Sequence, residues 1–62
     1  MLDKKEFDAL LALKNNPGLT QRELAESMGV SLGSANKTAR QLASAKLVED
    51  GALTERGLAE LA

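Results

Sequence analysis

Residues 20–46 read TQRELAESMGVSLGSANKTARQLASAK, and the fold turns on how this stretch divides. Thr20 is followed three residues later by Glu23, a pair able to form a capping box in which each side chain bonds the other's backbone N–H. Leu24, Ala25 and Met28 recur at helical spacing, which predicts a helix over 21–28. Gly29 can take the left-handed conformation that closes a helix, because it has no Cβ to clash. Ser31 then caps a second helix over 32–45. Ala35, Ala39, Leu42 and Lys46 follow at the spacing of one helical face, expected to point inward. Two helices joined by a tight turn holding glycine make a helix-turn-helix.

Upstream, Asp3 caps a helix over 4–15, with Glu6 completing a second capping box. Phe7, Leu10, Leu13 and Lys14 trace its expected inner face, and Leu11 lies off that stripe. Asn15-Asn16-Pro17-Gly18 stops the helix, since Pro17 disfavours helical geometry at Asn16 and Gly18 permits a turn. Leu19 follows as an extended residue and a candidate short third strand. Downstream the period changes. Leu47-Val48-Glu49 and Ala52-Leu53-Thr54 flank Asp50-Gly51, a hairpin signal for a type I′ turn. The hairpin is therefore expected over 47–49 and 52–54. Thr54 caps a last helix over 55–61.

All four helix starts place an apolar residue before the cap and another at the fourth helical position. The pairs are Leu2/Phe7, Leu19/Leu24, Val30/Ala35 and Leu53/Leu58, the pattern of a hydrophobic staple. The fold class is thus mainly α with a small β-hairpin: a single winged helix-turn-helix domain over 1–62. An isolated hairpin is marginal in water, so this one is expected to pack on the third helix through Leu47, Val48 and Leu53.

Composition narrows the function. The chain has no cysteine and no histidine, which removes thiolate metal sites, the commonest metal ligand and the commonest general base. Its hydroxyl side chains therefore lack a partner for nucleophilic catalysis. The acids are scattered, and the glycines form no phosphate-cradling loop. No catalytic residue, metal or cofactor is expected. No apolar run approaches the roughly 20 residues of a membrane span, so a cytoplasmic module without membrane contact is the default.

The net charge of −1 is unevenly spread. Residues 31–46 carry Lys37, Arg40 and Lys46 and no acid, whereas Glu49, Asp50, Glu55 and Glu60 face only Arg56 in the remainder. The acidic balance of the whole counts against strong nucleic-acid binding. With Ala35 inward, 100° per residue turns Gly33, Lys37, Arg40, Gln41 and Ser44 outward, flanked by Ser34 and Asn36. Hydroxyl, amide and guanidinium groups pair with base edges and phosphates. A plain solvated face competes with that reading, since exposed charge is the norm. Ser31 and Thr20 are explained by capping alone, although free N–H groups at a helix start can also hold a phosphate.

The run LTQRELAESMGVS, the NKT of the next helix, the LV entering the hairpin and the closing LTERGLAEL resemble winged helix-turn-helix domains of the MarR-like group. The resemblance covers nearly the whole chain. It implies a transcriptional regulator that binds duplex DNA, with residues 31–44 as recognition helix. It also implies base reading by Ser34, Asn36 and Lys37, and backbone contact by Arg40 and Gln41; Ser31 and Gly33 complete the candidate set. More narrowly, SLGSANKT with LTERGL resembles the winged-helix module preceding a nucleotidyltransferase in bacterial choline-related proteins. That likeness implies a domain excised from a longer enzyme, acting in regulation or protein interaction without touching DNA. The sequence departs from the MarR-like pattern in three places. Lys46 stands where glycine is usual, Ala35 and Ala39 where larger residues are common, and Glu49 and Asp50 flank or form a short wing elsewhere long and basic. With three cations on one helix, binding by a monomer is expected to be weak, so that useful affinity calls for a homodimer or a tethered enzyme domain.

Overall fold

In the computed structural model, which describes residues 2–62, four helices and one hairpin follow in the expected order. They are α1 (Lys4–Asn15), α2 (Gln21–Met28), α3 (Leu32–Ser44), β1 (Val48–Glu49), β2 (Ala52–Leu53) and α4 (Glu55–Leu61). Each helix starts at the residue whose side chain can hold its first turn. Asp3, Thr20, Ser31 and Thr54 accept from the N–H groups of Glu6, Glu23, Ser34 and Gly57. Asp3/Glu6 and Thr20/Glu23 close reciprocally as capping boxes. At Thr20 the backbone N–H donates to Glu23 Oε1 at 2.9 Å, and this bond holds the Glu23 carboxyl below its ordinary value. The cap is accordingly complete above the ordinary glutamate pKa and is lost as pH falls through the lowered one.

Helices α2 and α3 end by the same device. Gly29 takes φ 70°, and Val30 N–H reaches back to the Ala25 carbonyl. At the end of α3, Leu47 N–H bonds the Leu42 carbonyl and Lys46 N–H bonds that of Ala43, each at 3.0 Å. These are the two bonds of a Schellman motif, and they place Lys46 at its left-handed position with φ 61°. Lys46 is therefore outside the helix and exposed, and does not continue the inner face. Thr38 takes an inward position instead, beside Ala35 and Leu42.

The core holds one large leucine from each of the first three helices, Leu10, Leu24 and Leu42, all at 2% exposure or less. Ala9, Leu13, Ala25, Ala35 and Leu47 complete it. The inner face of α1 differs from the expected one. Ala9 is fully buried, whereas Phe7 and Lys14 are exposed. The reason is angular: at about 100° per residue the buried Ala9, Leu13 and Leu10 form one arc centred near Leu13, and Phe7 and Lys14 fall beyond its edge. Leu11 is exposed, as its position off the stripe implied. Both members of the Leu19/Leu24 and Val30/Ala35 pairs lie in or against the core. Phe7 and Leu58 stay exposed, so the staple is not a buried pair at α1 or α4.

The hairpin pairs Val48 with Leu53 and Glu49 with Ala52, antiparallel. Asp50 (φ 52°) and Gly51 (φ 79°) make its turn with positive φ at both central residues. Leu19 forms no third strand: the sheet has two strands, and the neighbouring tie is Gly18 N–H to the Gly51 carbonyl at 3.2 Å. A latch joins hairpin to α4. Thr54 N–H bonds the Leu47 carbonyl at 3.0 Å. Its hydroxyl donates to the Lys46 carbonyl at 2.7 Å and accepts from Gly57 N–H at 3.2 Å. Gly57 is buried directly against the Leu47 carbonyl, where a Cβ has no room.

Two stability changes follow. Gly57→Ala should cost about 1–3 kcal/mol, because the obstacle is backbone rather than a movable side chain. Lys46→Gly should gain roughly 1 kcal/mol by relieving a left-handed lysine. Urea unfolding of both variants against the parent checks the two signs.

Candidate nucleic-acid interface

Helix α3 is covered on one side only. Ala35, Thr38 and Leu42 face the core and Ala39 is half-buried. The opposite side shows Gly33, Lys37, Arg40, Gln41 and Ser44, all exposed. Neither hairpin nor α4 closes over them. Among the described residues the one ion pair joins Lys4 and Asp8 at 3.1 Å. Lys37, Arg40 and Lys46 thus present their charge to solvent unneutralised.

The two flanking residues part company. Asn36 is half-buried on the wing side of α3, where it lines a cleft of about 840 Å³. Arg40, Ala43 and Lys46 continue that wall, Val48 to Gly51 form the facing one, and Leu13, Leu19, Leu24 and Ala39 make an apolar floor. Ser34 sits on the other edge, half-buried, and its Oγ accepts from Lys5 Nζ of α1 at 3.4 Å. Its hydroxyl is therefore turned toward α1, away from the Asn36 side. Ser31 is exposed and its Oγ caps Ser34 N–H at 3.2 Å. Apart from its own turn of helix, Gly33 has nothing within 4 Å of where a Cβ would stand, so no packing against other elements demands glycine there.

The structure adds residues that periodicity did not flag. Gln21, first residue of α2, lines the same cleft as Asn36 and Arg40. Lys5 stands over the first turn of α3. Both come from elements distant in sequence, and only the packing of the helices brings them to this face. Glu49 and Asp50 line the same cleft as Arg40 and Lys46.

Among the described residues no group of three or more His, Cys, Asp or Glu gathers where a metal could bind. Among them, too, no helix is long and apolar enough to cross a membrane.

A helix-turn-helix with a bare, cationic second helix, followed by a two-stranded wing, defines a winged-helix domain. The sequence profile of the MarR family matches residues 2–61, and the chain belongs to that family. No curated protein matches it. MarR-like winged-helix domains are regulatory DNA-binding modules rather than enzymes. The match carries the broad winged-helix resemblance and lends nothing to the narrower likeness to a nucleotidyltransferase-linked module.

Because Lys37 and Arg40 are exposed and unpaired, Lys37→Gln and Arg40→Gln should each move stability by less than about 0.5 kcal/mol. Thermal unfolding checks this; a larger loss would show that the face is structural.

Proposed function

We propose that the domain binds duplex DNA as a transcription-regulator-like module in the cytoplasm, with α3 in the major groove. The observation that carries this reading is the uncovered side of α3, where Lys37 and Arg40 stand unpaired beside Gln41 and Asn36. In helix-turn-helix proteins the second helix turns its amino-terminal residues to base edges. Asn36 and Gln41 carry amides that pair with adenine, and Arg40 a fork that matches guanine or phosphate. Ser31 and Gly33 open the first turn, where free N–H groups and the absence of a side chain allow backbone to approach a phosphate. Ser34, its hydroxyl turned toward α1, contributes less to base reading than the MarR-like resemblance implied.

One copy covers little DNA. The molecule measures 26 × 21 × 18 Å, less than the 34–36 Å or so of one helical turn. Three cations, Lys37 and Arg40 on α3 and Lys46 just past its cap, give a slope of log K against log salt of about −2.7. A homodimer on two half-sites, or a tethered partner domain, supplies the missing affinity. The acidic wing motivates a second reading, a regulatory or protein-interaction module attached to an enzyme, in which duplex binding is absent altogether.

Titration of a labelled duplex at about 50 and 200 mM salt separates the two. The first reading expects roughly fortyfold weaker binding at the higher salt, the loss that three phosphate contacts imply. It also expects amide shifts concentrated in residues 31–44. No binding at low salt, or shifts confined elsewhere, would overturn it.

A further inference from the structure

Resting on the DNA reading, we infer that the duplex backbone is gripped from the α1 side, through Lys5, and that the wing stands off it. Three observations meet here. Lys5 and Lys4 are neighbours on α1, but only Lys4 is neutralised, by Asp8 at 3.1 Å. Lys5 instead reaches across to α3, its ammonium 3.4 Å from Ser34 Oγ. That contact sets a fourth cation over the first turn of the recognition helix, the turn that approaches the groove most closely.

At the other end of the face the sign reverses. The wing turn is only two residues long, and Glu49 at the end of β1 and Asp50 in the turn are both exposed. Neither is within ion-pair distance of Arg40 or Lys46, although all four line one cleft. Their charge therefore meets the phosphates of a bound duplex directly, and repels them. Lys5 adds sequence-independent attraction on one flank of α3, and the wing carboxylates subtract it on the other. The footprint is asymmetric, and discrimination falls to the side chains of α3.

The test is a salt titration of one labelled duplex and one random duplex with the full chain and three variants. Lys5→Gln removes the proposed phosphate contact; its salt slope should be shallower by about 0.9 and its affinity about eightfold lower at 0.1 M salt, on both duplexes alike. Lys14→Gln, at the far end of α1, removes the same charge and should leave the slope unchanged. Glu49→Gln with Asp50→Asn keeps the turn, since asparagine tolerates the left-handed conformation. It should tighten binding to both duplexes, by about twofold per carboxylate at low ionic strength. Equal effects of Lys5→Gln and Lys14→Gln, or no tightening on removal of the wing acids, would overturn the inference while leaving the DNA reading standing. Absence of binding by the unaltered chain would overturn the DNA reading, and this inference with it.

Discussion

Contact among three leucines, Leu10, Leu24 and Leu42, is the constraint on which the other features depend. Each comes from a different helix, and each is almost wholly withdrawn from water. Burying a leucine yields about 1.5–3 kcal/mol, so these three together rival the net stability of a domain this small. Their meeting fixes the rotation of α3 about its own axis. Once Leu42 faces inward with Ala35, the 3.6-residue repeat leaves Lys37, Arg40 and Gln41 no direction but outward. The candidate interface is thus the geometric complement of the core.

A small core also explains the economy of the remaining parts. The folded chain exposes 4141 Å², against about 9,600 Å² expected for its unfolded form, so little more than half the surface is buried. The only aromatic residue, Phe7, lies outside the core. Close approach of backbone compensates for bulk. Ala9 and Ala35 are fully buried at the helix packing, and Gly57 lets α4 rest on the Leu47 carbonyl. Thr54 then links Lys46, Leu47 and Gly57 through three hydrogen bonds. A two-stranded hairpin that could not persist alone is held between α3 and α4 by this latch.

Charge is arranged along the face that the core leaves bare. Cations stand on α3, at its end and on the neighbouring start of α1, whereas carboxylates occupy the wing tip. The net value of −1 conceals this division. Membership of the MarR family bears on the domain as a whole and not on single residues of this face, because a solvated helix and a recognition helix can share the same side chains. In both cases the residues are exposed; what differs is whether a partner of opposite sign exists.

The sequence alone determined most of what is governed by near neighbours along the chain, the left-handed end at Lys46 excepted. Caps act over three residues, and left-handed turns act at one or two. Thr20, Ser31, Gly29 and Asp50-Gly51 therefore announced helix starts, a helix end and a hairpin, and α3's outward cations followed from its period. Tertiary structure alone decided how far the inner face of α1 turns from Phe7 and Lys14 toward Ala9, the turning of Ser34 toward Lys5, the arrival of Gln21 in the cleft, and the need for glycine at 57. Each of these depends on which elements pack against one another and how closely, and the spacing of residues along a single element carries no record of its neighbours.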